Sequence, residues 1–272
     1  MDDGRGVMDE RMRGVGTDKL AERKYILLFL LLAPYALLAL VYFGMGFLEP
    51  NYMVNEVHIS QPYNLERQLF GIATDNGIVT PSEWFAAHHS IGVDLVCGLF
   101  YMLWIPLPIF FSLCLFFSGR EESAIRLTMA LFLTKLVGYV GYYIYPAAPP
   151  WYVMEHGFEF IQDTAGSAAG LLRVDDYLGI PIFHTMYTAN ANVFAAIPSL
   201  HSSYYPVALW YAWSTKGISR WWTALFLAFS LGVWFAAVYT GHHYIIDVIL
   251  GVGCSAVGVM LSNAIKTRTL RY

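Results

Sequence analysis

The sequence predicts an all-α polytopic membrane protein, a bundle of six transmembrane helices, and three observations carry that expectation. The 272 residues are 57% hydrophobic and only 13% charged, whereas average soluble domains carry about 25% charged residues. The apolar residues fall in runs approaching the roughly 20 residues that a helix needs to cross a bilayer. Lys and Arg are dense in every second connection and sparse in the others. A mean hydropathy of +0.49 agrees, and a net charge of −4 with a pI near 6.0 gives no basis for nucleic-acid binding.

Residues 1–24 are polar and of mixed charge and read as a cytoplasmic tail; residues 25–272 read as one membrane-embedded domain without internal repeats. The first run, 25–48, is too long for the core of a signal peptide and lacks a small-residue cleavage site, so it reads as an inserting helix. Further spans are expected at 91–117, 124–146, 201–215, 221–240 and 244–264. Pro106 and Pro108 predict a kink in the second. The fourth is short and is expected to begin earlier, near Val193. Cys97, Cys114 and Cys254 lie inside apolar runs without metal-ligand spacing and read as small buried hydrophobes.

Six spans place both termini on one side, and charge says which. Arg5, Arg11, Arg13, Lys19, Arg23 and Lys24 precede the first span. Arg120 and Arg126 follow the second, Lys216 and Arg220 follow the fourth, and Lys266, Arg268 and Arg271 end the chain. The opposite connections hold only Arg67 and Arg173, with Lys135 inside the third span. Positive residues mark the cytoplasmic face, so both termini are expected there. The loops 49–90 and 147–192 then face the periplasm or a lumen, in a bacterial inner membrane or a Golgi-type membrane according to the host. Their stretches "EPNYMVNEV" and "YPAAPPWYVMEHGFEF" read as chain lying along the headgroup layer, where aromatic rings settle.

That orientation gathers ionisable residues on the outer rim. His201 opens the fourth span in "AAIPSLHSSYY", and "YTGHHYIID" opens the sixth with His242, His243 and Asp247. Ionisable groups at membrane depth are costly and mark function by default. His243 and Asp247 stand at i and i+4, on one helical face, whereas His242 is rotated away. An Asp on one imidazole nitrogen orients the ring and leaves the other nitrogen to attack or to take a proton. His201, from another helix, can then exchange a proton on the far side of a reacting group. Taken singly, each has a bland reading: His201 as an interfacial or capping residue, the HxxxD spacing as chance, and Ser199 as a helix cap. Together, on one rim, they point to catalysis. Lys135 is either a phosphate ligand or a snorkelling structural lysine. Arg173 favours anion binding. Asp94 is either a carboxylate favoured by its helix dipole or a contact to a polyol. His58, His88, His89, His156 and His184 show no ligand spacing, and no cluster suggests a metal or cofactor.

These blocks resemble the type-2 phosphatidic acid phosphatase superfamily, six-span enzymes that work without a metal. "YPAAPPWY", "AAGLLRVDD", "FAAIPSLH" and "YTGHHYIID", in that order, are similar to its inositol phosphorylceramide synthase branch, as are "ERQLFGI" and "VDLVCGLFYMLWIPLPIFF". The resemblance covers about residues 64–250. It implies His243 as the nucleophile that takes the phosphoryl group, Asp247 as its orienting partner and His201 as acid and then base. Lys135, Arg173, Ser199, Asp94 and His242 remain as candidates for phosphate and substrate binding. The phosphatases of the superfamily carry two arginines that this chain lacks: Tyr142 stands seven residues after Lys135, and Ala237 six before His243.

The resemblance implies a lipid phosphotransferase that moves phosphoinositol from a phosphatidylinositol-like donor to a ceramide-like acceptor, releasing diacylglycerol through a phosphohistidine. Two alternatives stay open. One is a lipid phosphate phosphatase, with water as the acceptor. The other is a transporter or lipid-binding scaffold, although transporters carry repeats and midplane charge, whereas the polar residues here gather at one rim.

Overall fold

The computed structural model describes residues 23–40, 50–188 and 192–265. Most of the expected N-terminal tail and the basic residues Lys266, Arg268 and Arg271 therefore lie outside the described residues. The first helix, α1, runs Arg23–Leu40, and the rest of the first expected span, 41–48, is likewise outside them.

Between α1 and the next long helices lies a folded cap. It comprises α2 (Asn51–Val54), α3 (Ser60–Phe70), a hairpin of β1 (Ile72–Thr74) and β2 (Gly77–Val79), and α4 (Pro81–Ala87). The hairpin pairs Ile72 with Val79 and Ala73 with Ile78. Thr80 caps α4 and Glu83 reaches back to it, a reciprocal capping box. Next come α5 (Ile91–Leu103), α6 (Pro106–Phe117) and α7 (Glu121–Ile144). The expected kink is present: α5 and α6 meet at 48°, with Pro106 as the first residue of α6, the helical position that tolerates proline.

A second cap follows: α8 (Pro150–His156), a short 3-10 turn (Ala169–Leu171), α9 (Leu172–Leu178) and α10 (Ile182–Thr188). The chain then forms α11 (Tyr204–Ser214), α12 (Arg220–Tyr239) and α13 (Ile245–Ala264). Both caps are folded onto one another rather than extended. Their backbones are tied together: His58 N donates to Pro146 O (2.8 Å), Ala148 N to His58 O (3.0 Å) and Ala147 N to Phe194 O (2.9 Å). Buried Asn51 donates to the carbonyls of Tyr142 (2.8 Å) and Phe194 (2.9 Å).

Among the described residues, four helices (α1, α7, α12 and α13) are long and apolar enough to cross a membrane, and the bent α5–α6 pair makes a fifth candidate. The fourth expected span differs. α11 has 11 residues, about 17 Å at 1.5 Å per residue, and it does not extend back to Val193. The preceding "IPSLHSS" is a run of turns in which Ser202 and Ser203 hydroxyls bond the carbonyls of Ser199 and Leu200 at 2.8 Å each, which spends on local turns the polar groups a helix would pair.

The two ends of the bundle differ in chemistry. At one end Arg120 donates to the carbonyls of Ser118 (2.8 Å), Lys216 (3.2 Å) and Gly217, tying the α6–α7 connection to the α11–α12 connection. Leu27, Leu31, Phe111, Leu127 and Phe226 pack above it. At the other end the caps converge on the first turn of α13. α13 packs closely along α7 and the serine turn: a Cβ on Gly251 would stand 2.0 Å from Ser199 O, so only glycine permits that approach.

Candidate active site

Among the described residues, the capped end holds the buried acidic and histidine groups Glu66, Asp94, Asp175, His242, His243 and Asp247, and its geometry starts from the turn between α12 and α13. Gly241 sits there at φ +75°, a left-handed conformation that favours glycine. The turn is clamped from the second cap by Gly170 N to Thr240 O and Trp151 N to Gly241 O, both 2.9 Å. Ala237 O accepts from both His242 N (3.1 Å) and His243 N (3.0 Å), so the two histidines are fixed by the end of the preceding helix.

His243 is 5% exposed. Its Nδ1 lies 3.0 Å from the carbonyl of Ala196 and 3.6 Å from Asp247 Oδ2. A carbonyl only accepts, so Nδ1 carries the proton and Nε2 presents its lone pair. The direct partner of the imidazole is thus a main-chain oxygen of the "FAAIPSLH" segment, with the carboxylate behind it as an electrostatic partner. Asp247 is fully buried; its Oδ2 accepts from Tyr244 N at 2.8 Å, and its Oδ1 has no hydrogen-bond partner among the described residues. Ser199 N donates to the Asp247 carbonyl at 2.9 Å.

His243 Nε2 faces His201 Nδ1 at 3.3 Å. With Nε2 unprotonated, His201 Nδ1–H is the donor of that contact. The His201 ring sits between Tyr101 and Trp104, with centroids 4.8 and 4.6 Å away. Burial pushes the His201 pKa well below its ordinary value, and the neighbouring His243 and Lys135 push the same way. His201, His243 and Asp247 therefore meet, as the sequence predicts.

The other candidates divide. His242 turns from Asp247 and bonds Thr240 Oγ1 at 2.8 Å. Ser199 does not cap α11, whose N-cap is Ser203; its hydroxyl accepts from Ser202 N at 3.4 Å within the serine turn. Arg173 and Asp94 pair with each other: Nε donates to Oδ1 at 2.9 Å and Nη2 lies 2.7 Å from the same oxygen. Asp94 is in the first turn of α5, as its dipole reading requires, and the guanidinium also lies over the Tyr239 ring at 5.5 Å. Arg173 borders a cleft of about 100 Å³ with Trp151, Glu155, Tyr239 and Thr240. Lys135 lies lower on α7, its Nζ 5.3 Å from the Tyr139 ring centre.

Glu66 is the residue that sequence reasoning missed. It is fully buried, and its carboxylate accepts from Ile245 N (3.0 Å) and Ile246 N (3.5 Å), capping α13 from α3. Burial raises its pKa to about 7 against the pull of those two N–H groups. The available signal was a carboxylate within the quoted "ERQLFGI" block, four residues after Pro62, the other buried position of α3.

The family model of the PAP2 superfamily matches residues 67–261. A protein of Bacteroides thetaiotaomicron named phosphoinositol dihydroceramide synthase is 46% identical over 228 residues, 84% of this chain and 74% of the relative. The Saccharomyces cerevisiae inositol phosphorylceramide synthase catalytic subunit AUR1 is 34% identical over 119 residues, 43% of this chain and 29% of the relative. The Candida albicans inositol phosphorylceramide synthase is 28% identical over 162 residues, 58% of this chain and 34% of the relative. The matches thus span about a third of the fungal relatives. No solved structure matches the chain.

Proposed function

The chain belongs to the PAP2 superfamily, and from that premise we propose that it is a membrane phosphotransferase moving phosphoinositol from a phosphatidylinositol-like lipid to a ceramide-type alcohol. The observation that carries the chemistry is the His243 Nε2–His201 Nδ1 contact of 3.3 Å, with the far nitrogen of His243 tied to Ala196 O. The names of the Bacteroides and fungal relatives support the substrate pair.

In the proposed reaction the Nε2 lone pair of His243 attacks the lipid phosphorus. The N–P bond forms as the P–O bond to diacylglycerol breaks; His201, charged to the imidazolium by a second proton once the anionic phosphate sits beside it, gives that proton to the departing oxygen and is left neutral. The acceptor hydroxyl then loses its proton to His201, attacks phosphorus and releases His243. Because the two nitrogens touch, the phosphoryl group has to part the rings as it binds. Asp247 and Ala196 O stabilise the charge that His243 gains. Lys135 and Arg173 are the cations for the phosphate, the latter while sharing its charge with Asp94.

The charge difference between the two ends supports one membrane orientation. Arg23, Lys24, Arg120, Arg126, Lys216 and Arg220 belong to the end opposite the triad, so the positive-inside rule turns the triad to the outer side and the termini to the cytoplasm.

The test is to give purified protein phosphatidylinositol labelled in its headgroup, with and without ceramide. Label on a ceramide-based lipid is the expected result. Release of free inositol phosphate or phosphate, whether or not ceramide is present, replaces the transferase with a hydrolase. A cysteine placed beside Arg173 tests orientation: it reacts with an impermeant thiol reagent in intact cells, and reaction only after permeabilisation reverses the assignment.

A further inference from the structure

Among the described residues, two of the buried polar atoms that lack hydrogen-bond partners lie on the His201 side of the triad, and neither is used in the proposed phosphoryl transfer. The first is His242 Nε2. His242 is 5% exposed, and its Nδ1 is 2.8 Å from Thr240 Oγ1. Thr240 donates its one hydroxyl proton to Ala236 O at 2.7 Å, so toward His242 it can only accept. The proton of the imidazole is therefore on Nδ1, and Nε2 is a pure acceptor with no donor to meet it. The second is the hydroxyl of Tyr101, 2% exposed, which approaches Thr240 without forming a hydrogen bond of good geometry.

These atoms sit next to the reacting centre. The Tyr101 ring touches both histidines, at 4.8 Å from the His201 centroid and 5.2 Å from that of His242. The Tyr187 ring centroid lies 4.7 Å from that of His242. Aromatic rings thus flank His242 from Tyr101 and Tyr187. A buried acceptor left unpaired is costly, and a ligand that donates to such an orphan beside a reacting centre removes that cost. An acceptor-only nitrogen next to a phenol hydroxyl, walled by rings, suits a group that donates one hydrogen bond and accepts another. That group is an alcohol.

We infer that His242 Nε2 and Tyr101 Oη form a recognition site for a substrate hydroxyl, making them specificity-determining residues of this transferase. The inference rests on the transferase reading, in which both lipids carry a hydroxyl that does not react: the donor on its polyol headgroup and the acceptor on its sphingoid chain. A headgroup without a hydroxyl, such as choline, cannot donate to Nε2.

Side-chain geometry supplies the test. An asparagine amide nitrogen overlays Nδ1, so His242→Asn keeps the Thr240 contact and deletes the acceptor. A glutamine oxygen reaches the position of Nε2, so His242→Gln restores the acceptor. The KM for phosphatidylinositol and for ceramide is measured for each variant. The binding of each lipid, presented singly in mixed micelles, is measured alongside by tryptophan fluorescence. We expect His242→Asn to raise one KM, and the matching dissociation constant, about tenfold with kcat changed less than about threefold, and His242→Gln to recover most of it. The lipid that responds identifies the hydroxyl. Unchanged constants for both lipids in His242→Asn overturn the inference, as does a glutamine variant worse than the asparagine one, which would make the Thr240 contact the important one. Should His242→Asn not fold, Tyr101→Phe decides: a rise of about threefold in one KM supports the site, and no rise overturns it. If wild-type protein moves no label onto ceramide, the transferase reading fails, while the binding measurements still decide the hydroxyl site.

Discussion

The triad and the Arg173–Asp94 pair lie at the same end of the bundle but are held by different kinds of atoms. His243 is fixed through main chain: its own N–H bonds Ala237 O, its ring bonds Ala196 O, and the turn carrying it is clamped by Gly170 and Trp151 N–H groups. Arg173 and Asp94 are fixed by each other, side chain to side chain, beside a cleft. Main-chain anchoring holds a reacting nitrogen to a fraction of an ångström, which transfer chemistry demands. A side-chain pair can open to admit a phosphate or a headgroup at the cost of one exchanged partner. In the proposed reaction chemistry falls to the main-chain-anchored half and binding to the half held by side chains.

That division can be broken at several points. The largest effect is expected from His243→Gln, which removes the nucleophile without opening a cavity. Transfer should fall by a factor on the order of 10³ or more, with the thermal midpoint in detergent little changed. Next is Gly251→Ala. Its methyl would press on Ser199 O, the carbonyl of the turn that carries His201, costing about 1–3 kcal/mol and lowering kcat through the misplaced ring; thermal unfolding and turnover read both. Arg173→Lys should act on binding. Losing the two-nitrogen contact to Asp94 raises the KM for the donor lipid about tenfold with kcat changed less. A fall confined to kcat would move Arg173 into the half that carries the chemistry.

The smallest effect concerns pH. Glu66 has a pKa of about 7 in the fold against an ordinary 4.5, because burial disfavours its charge. The folded chain holds that proton more tightly than the unfolded one, so the contribution of Glu66 is complete below about pH 4.5 and is lost as pH rises through 7. Glu66→Gln cannot lose a proton and still offers an acceptor to Ile245 N. Its stability relative to wild type should therefore rise between pH 5 and 8, by on the order of 1 kcal/mol. His201 and His242, whose pKa values burial lowers, contribute stability above about pH 6.5 that is lost as pH falls; both variants share that slope, so the difference isolates Glu66.

Local pattern made part of this legible in the sequence. The i, i+4 spacing of His243 and Asp247 survives folding as a 3.6 Å approach, and the prolines at 106 and 108 mark the bend. What periodicity could not show depends on chain brought from afar. The Ala196 carbonyl reaches His243 across 47 residues, and any residue type offers the same oxygen. Glu66 reaches Ile245 across 179 residues, and on its own helix it looks like one more polar side chain. The fourth span read longer than α11 because the serines of "IPSLHSS" bond their own turns, a choice that hydropathy does not register.

The claim that His243 Nε2 forms a bond to phosphorus has a direct test. Purified protein is incubated with phosphatidylinositol labelled at phosphorus, without ceramide, then quenched in base and digested. The account predicts acid-labile, base-stable label on the peptide containing His243, absent from His243→Gln and discharged onto lipid when ceramide is added. Label on another residue, or a His243→Gln protein that labels and transfers normally, contradicts it.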